Sequence, residues 1–142
     1  MRKFFLLLSV SIAGLGVGGG AAWGTSLLLG PAAPADTLGA AAFVPAGKVL
    51  APLVFKDGRL SGYVSFKVEL EVDADAAESV QARLPLVLNA INMRTYRTPM
   101  AAGPDGLLPN LGMFRKVVME AADEAFGKGV VRRVAVTEAT PV

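Results

Sequence analysis

The feature that most constrains this chain is a long uncharged stretch near its start. Residues 4–35 contain no ionisable side chain, and residues 4–29 are apolar or small throughout. About 20 helical residues cross a hydrocarbon layer ~30 Å thick, so this stretch is long enough for a membrane-spanning helix. Arg2 and Lys3 precede it, and the positive-inside rule then predicts a cytoplasmic N-terminus. The rest of the chain is expected on the far side of the membrane, which in a two-membrane bacterium is the periplasm.

A cleaved secretory signal is the alternative interpretation of the same stretch. A basic start, an apolar run and Ala33, Pro34 and Ala35 as an A-x-A-like site fit such a signal. The apolar core of a signal usually has about 7–15 residues, which is shorter than the run found here and favours a retained anchor. Both interpretations export the rest of the chain.

Small residues recur within the uncharged stretch at spacings of four. On a helix, Gly14, Gly18, Gly20 and Gly24 would leave a flat surface on which two membrane helices approach closely. These glycines are therefore candidates for membrane helix packing. Glycine is also common in membrane helices and in signal sequences, so a neutral interpretation stays open.

The sequence divides into three segments. Residues 1–29 are a short cytoplasmic start followed by a transmembrane helix, or a signal sequence. Residues 30–47 are rich in Ala, Pro and Gly, and because proline fixes φ and removes backbone donors they are predicted to form an extended tether. Residues 48–142 are predicted to form a periplasmic α+β domain.

The clearest strand of that domain covers residues 63–72 (YVSFKVELEV). Apolar side chains alternate there with Ser, Lys and Glu, which is the period of a strand buried on one face. The preceding run, residues 49–55, contains Pro52 and is typical of an edge strand, because proline cannot donate to a sheet ladder. Residues 56–59 (KDGR) predict the turn between the two strands.

Two helices are predicted after these strands. Asp75 and Glu78 resemble a capping box that opens the first helix, and Pro85 is expected to kink or break it. Asn110 is suited to cap the second helix, which is expected to end at Gly127.

The remaining segments complete the predicted fold. Residues 98–109 are expected to be a loop because they are rich in Pro and Gly, and residues 130–137 return as a strand. The order β-β-α-α-β predicts an α+β domain in which two helices pack on a small antiparallel three-stranded sheet.

The chain contains no histidine and no cysteine. This removes the usual zinc ligands, thiol nucleophiles, disulfides and imidazole acid–base catalysts. Glu69 and Glu71 share one face of the predicted strand about 7 Å apart, but Lys67 stands in the same row, so a solvated face is the simpler interpretation. We therefore expect no enzyme activity, no bound metal and no cofactor.

Charge also bears on the choice of partner. Lys and Arg number 14 and Asp and Glu 12, and two of the cations are Arg2 and Lys3, so the rest of the chain is balanced. Nucleic-acid binding depends on clustered cations that neutralise phosphates, and we expect none here.

Two groups of residues are candidates for contact with protein partners. One is the polar side of the strand at residues 63–72, and the other is the end of the first helix. Cations near a helix C-terminus also stabilise the helix dipole, so the second group has a structural explanation as well. Arg132 and Arg133 are interpreted as charges that guard an edge strand. The candidate contact residues are Lys67, Glu69, Glu71, Arg94, Tyr96 and Arg97.

The order of these motifs resembles the flagellar basal-body-associated FliL family. The similarity combines the basic start, the membrane span, the tether and the strand at residues 63–72, and it covers residues 48–142. Further matching positions are Ala82, Arg83, Leu84 and Pro85 before a long helix, Thr95 with Tyr96, Thr98 with Pro99, and Val131, Val134, Thr137 and Glu138 in the closing strand.

The resemblance implies a single-pass inner-membrane protein whose periplasmic domain has a stomatin-like fold. It also implies self-association, contact with the stator units and other basal-body proteins of the flagellar motor, and a role in motility. The alternative is an exported periplasmic binding module released after signal cleavage, without a motor role. A small envelope hydrolase is a third hypothesis, and it requires a reactive side chain in a concave pocket.

Overall fold

The computed structural model describes residues 39–142. The predicted membrane helix, the alternative signal sequence and the glycines at 14, 18, 20 and 24 lie outside the described residues. Within residues 39–142, no helix has the length and apolar character that crossing a bilayer requires.

The described residues form a three-stranded antiparallel sheet with three helices and one short two-stranded ladder. The sheet has the order β1-β2-β5, so β2 is central and β1 and β5 are the edges. The elements are β1 (Ala41–Val54), β2 (Leu60–Asp73), α1 (Ala77–Ala82), α2 (Leu84–Thr95), β3 (Ala101–Ala102), β4 (Leu108–Pro109), α3 (Leu111–Phe126) and β5 (Val131–Pro141). The predicted α+β class, with a three-stranded antiparallel sheet and helices, is confirmed.

The core lies between one face of the sheet and the helices. The five apolar side chains of the alternating run in β2 are completely buried: Val64, Phe66, Val68, Leu70 and Val72. At the centre the Phe66 ring stacks on the Phe114 ring of α3, with 3.8 Å between centroids. Each buried side chain of this size contributes roughly 1.5–3 kcal/mol. This burial holds both long helices on the same side of the sheet.

The first strand begins earlier than the sequence pattern indicated. β1 starts at Ala41, so the prediction of an extended tether is wrong for residues 41–47. Pro45 and Gly47 made this segment look irregular, but Pro45 pairs with Glu69 and Gly47 with Val68, which leaves Ala46 as an extra, bulged residue. An edge strand tolerates both proline and a bulge, because one side of it carries no ladder.

The helix boundaries follow the sequence signals in three of four places, and one of these is the end of α3 at Phe126, directly before Gly127. The expected break at Pro85 is confirmed, because α1 ends at Ala82 and Pro85 lies in the first turn of α2. The cap at Asn110 is also confirmed, since its side chain accepts a hydrogen bond of 3.0 Å from the Met113 N–H.

The capping box at Asp75 is wrong. The N-cap of α1 is Ala76, and no side chain caps it. A backbone turn supplies the start of this helix instead, with the Ala76 N–H donating to the Asp73 carbonyl and the Ala77 N–H to the Ala74 carbonyl. Because these donors are already satisfied, the helix begins without a carboxylate cap.

The segment predicted as a loop, residues 98–109, contains the two-residue strands β3 and β4. Gly106 in their connection has φ of +67°, and a Cβ placed on it would overlap the Phe55 ring. The ring therefore packs directly on the glycine backbone, which ties this hairpin to the end of β1. Strands of two residues carry no readable alternation, so the sequence pattern did not show them.

We predict that Gly106→Ala lowers the free energy of unfolding by roughly 2–4 kcal/mol, because it combines an unfavourable φ with an overlap against the half-buried Phe55 ring. Gly112→Ala is the matched control: Gly112 lies in the first turn of α3, and its added Cβ would meet only the Asn110 side chain at 3.5 Å. The control should gain about 0.5 kcal/mol from helix propensity. Urea unfolding of both variants checks this, and equal effects would contradict the packing of Phe55 on Gly106.

Candidate functional site

The sheet face that points away from the helices carries the most distinctive surface of the described residues. We call it the open face. Pairing within the sheet arranges its side chains in four rows across β1, β2 and β5. The first row is Phe43, Glu71 and Arg133; the second is Pro45, Glu69 and Ala135; the third is Lys48, Lys67 and Glu138; the fourth is Leu50, Ser65 and Thr140.

Two bulges place these side chains. Ala46 is extra in β1 and Thr137 is extra in β5, and both bulges lie beside Val68 of β2. A bulge reverses the alternation of a strand, so side chains beyond it change faces. This brings Lys48 and Glu138 onto the open face on either side of Lys67. Both residues were missed from the sequence because Lys48 precedes the first predicted strand and Glu138 follows the last, and a count by twos along the longer strands found here would have placed them in the core.

Glu71 does not serve as a free surface charge. It is only 8% exposed, and its carboxylate forms an ion pair with Arg133 on the neighbouring strand, with 2.8 Å between Oε2 of Glu71 and Nε of Arg133. A carboxylate this well covered needs such a partner. The structure therefore places the predicted contact residue Glu71 in an ion pair with Arg133, which was interpreted from the sequence as an edge-guarding charge.

The two lysines of the third row stand in an unfavourable arrangement. Lys48 and Lys67 are directly opposite one another on adjacent strands, and both are exposed. Among residues 39–142, neither takes part in an ion pair within 4.0 Å. Like charges in opposed positions destabilise a sheet by roughly 0.2–1 kcal/mol. Glu138 stands opposite Lys67 on β5 and offsets the charge of Lys67, but it lies across β2 from Lys48.

Large apolar side chains flank the charged rows. Phe43 in the first row is 56% exposed and Leu50 in the fourth row is 52% exposed, and both lie on β1. Tyr63, one position beyond the fourth row on β2, is also exposed. Exposed apolar side chains that share one face with charges are typical of surfaces that contact other proteins.

The second candidate group, at the end of α2, is divided between two roles. Arg94 reaches across to α3, where its guanidinium pairs with Glu120 at 3.0 Å and with Glu124 at 2.8 Å. Tyr96 and Arg97 point outward and are exposed. A groove of about 350 Å³ is lined by both Arg94 and Arg97 but not by Tyr96. Arg94 is thus a link between the two long helices, and Tyr96 and Arg97 are left for contact with other molecules.

Arg132 on β5 contacts the end of β2 and the first described residue of the chain. It pairs with Asp73 at the end of β2 and donates to the carbonyl of Gly39 at 3.3 Å. β5 is an edge strand, as the sequence predicted. The two arginines of this edge are therefore engaged with carboxylates of β2.

Residues 39–142 hold no group of three or more Asp and Glu side chains close enough to bind a metal ion. Glu69 and Glu71 share one face of β2, but Glu71 is buried in an ion pair with Arg133 and Glu69 is half-buried. Comparison with models of protein families and with curated proteins gave no match. The proposals below therefore depend on the surface itself and on the order of the sequence motifs.

We predict that Arg94→Ala lowers the free energy of unfolding by about 0.5–1 kcal/mol, because it removes both ion pairs between α2 and α3. Arg97→Ala, on the same helix end but exposed, should change it by less than about 0.5 kcal/mol. Urea unfolding at low and at high salt checks this, since salt screens exposed ion pairs and should shrink the Arg94 effect. Equal losses for the two variants would contradict the link.

Proposed function

We propose that this chain is a non-enzymatic, membrane-anchored periplasmic scaffold of the bacterial flagellar basal body. In this proposal it associates with itself and with the stator units of the motor, and it supports motility. The observation that carries the proposal is the order of the FliL-like motifs together with the elements on which they lie. The proposal includes the finer expectation that the body has a stomatin-like fold.

The motifs fall on the elements that the resemblance implies. The run at residues 63–72 lies within the central strand β2, and Pro85 lies at the start of the long helix α2. Thr95 and Tyr96 mark the end of α2, and the closing motif that starts at Val131 lies on β5. This agreement in order supports a common architecture.

The open face supports a role in contact with other proteins. A scaffold acts through its surface, and this face combines exposed apolar side chains with two lysines that find no ion pair within the described residues. Such a surface suits association on a membrane, where anchoring keeps the partners at high effective concentration.

Ala33, Pro34 and Ala35 favour the alternative function, an exported binding module released from the membrane. Mass measurement of the mature protein separates the two proposals. We expect an intact N-terminus that includes residues 2–35 and a protein recovered with the inner membrane. A mature chain that begins after Ala35 would favour the released module.

Deletion of the gene should reduce swimming speed in viscous medium, where the motor works under load. Lys67→Glu supplied in place of the native chain should restore motility only in part, because it reverses a charge at the centre of the open face. Lys116→Glu, an equal charge change at an exposed position of α3, should restore it fully. Unchanged swimming after deletion, in an organism that swims, would refute the motor role.

A further inference from the structure

We infer that the open face is self-complementary and pairs two copies of this chain face to face. The inference rests on the proposed function in one respect, which is the self-association of the scaffold. It adds which surface of each copy is used and which side chains of the two copies face each other. The two copies are related by a two-fold axis that runs across the strands, midway between the second and third rows. This axis places β2 of one copy antiparallel to β2 of the other.

The rows determine which side chains meet. With the axis in this place, the second row of each copy faces the third row of the other, and the first row faces the fourth. Rows on one face are about 7 Å apart along the strand. Because the axis repeats every contact, each favourable pair occurs twice.

The charges match in this register. Glu69 faces Lys67 of the second copy, and Lys67 faces Glu69 of the second copy. Lys67 already stands opposite Glu138 of its own β5, and this contact adds a second carboxylate at the centre of the face. Glu69 of the second copy thereby brings a negative charge close to Lys67, which stands opposite Lys48.

The apolar side chains match as well. Phe43 faces Leu50 of the second copy at one end of the interface, and the same pair recurs at the other end. These are the two largest exposed apolar side chains of the four rows, at 56% and 52% exposure. Their burial would remove the apolar surface that remains exposed on a single copy.

Side-chain size follows the same pattern. The short side chains Pro45 and Ala135 of the second row face the long side chains Lys48 and Glu138 of the third. Long side chains opposite short ones let two sheet faces approach to about 10 Å.

Other two-fold arrangements of the same face fit less well. An axis along the strands through β2 places Lys67 on Lys67 of the second copy. An axis across the strands through the third row also places each lysine on its own equivalent. Like charges brought together at an interface disfavour such arrangements. The axis between the second and third rows is the arrangement that pairs opposite charges at the centre.

The interface is small. Three strands about 4.8 Å apart and four rows about 7 Å apart cover roughly 400 Å² in projection. A standard interface buries about 800 Å² per partner, so the pairing should be weak in dilute solution. Anchoring in a membrane would raise the effective concentration and populate the pair.

Site-directed cross-linking of the full-length protein in membranes tests the register. The chain has no cysteine, so introduced thiols are unique. Two tagged copies are expressed together, one carrying Phe43→Cys and the other Leu50→Cys, and a short bis-maleimide joins thiols on facing sheets. A linker is needed because sheets about 10 Å apart exceed the Cα separation of about 4–7 Å that a disulfide allows. We expect a cross-link between positions 43 and 50 of different copies.

Three comparisons make the result specific. Copies that both carry Phe43→Cys should cross-link at least fivefold less, and so should a control pair on the exposed side of α2, Leu86→Cys with Met93→Cys. Lys67→Glu or Glu69→Lys alone should reduce the 43 to 50 cross-link about tenfold, because each creates two like-charge pairs. The double variant Lys67→Glu with Glu69→Lys should restore it to within about threefold, since the opposite charges return with exchanged places.

Three results would overturn the inference: absence of the 43 to 50 cross-link, equal cross-linking of two Phe43→Cys copies, or failure of the double charge exchange to restore the product. Thermal unfolding of each charge variant shows that its fold is intact. If deletion impairs motility but this cross-link is absent, the proposed function stands and the face-to-face pair does not. If the cross-link forms while motility is unaffected by deletion, the pair stands and the motor role does not.

Discussion

The burial of one face of β2 is the constraint on which the rest of this structure depends. Five apolar side chains at alternate positions of that strand are fully covered, and the Phe66 ring among them stacks on Phe114. Because both α2 and α3 must cover this apolar side, no element of the described residues is left to cover the other. The open face is therefore a consequence of how three strands and two long helices make a core in a chain of this size.

The composition of the open face follows from the edges of the sheet rather than from β2 alone. Bulges at Ala46 and Thr137 flank the same point of β2 and turn Lys48 and Glu138 outward beside Lys67. A bulge on an edge strand usually disturbs pairing with other chains along that edge. Here both edges carry one, so strand addition is discouraged at the edges while the face between them stays accessible. Association through the face is the route that this sheet leaves open.

Most signals that act within a few residues were readable from the sequence, the capping box at Asp75 excepted, and those that depend on strand pairing were not. The alternation in β2, the helix break at Pro85 and the cap at Asn110 each follow from local geometry. The early start of β1 could not be read, because Pro45 and Gly47 are tolerated only by an edge strand with a bulge. The candidate site was predicted in part. The polar side chains of β2 were identified from the alternation, but the contributions of β1 and β5 depend on bulges that shift their register, and no periodicity in the sequence shows these.

The candidate charges illustrate why residue type alone did not assign roles. Glu71 and Lys67 lie four positions apart on the same face of one strand, yet Glu71 is covered and paired with Arg133 whereas Lys67 is exposed between Lys48 and Glu138. Two lysines in opposed positions lower the stability of a lone domain, and Glu138 of β5, which stands opposite Lys67, lies across β2 from Lys48. Phe43, exposed on the same face, adds apolar surface that a monomer does not need. A second molecule that supplies both a carboxylate and an apolar side chain would compensate for both features at once, and in the register described above a second copy of the same face supplies both.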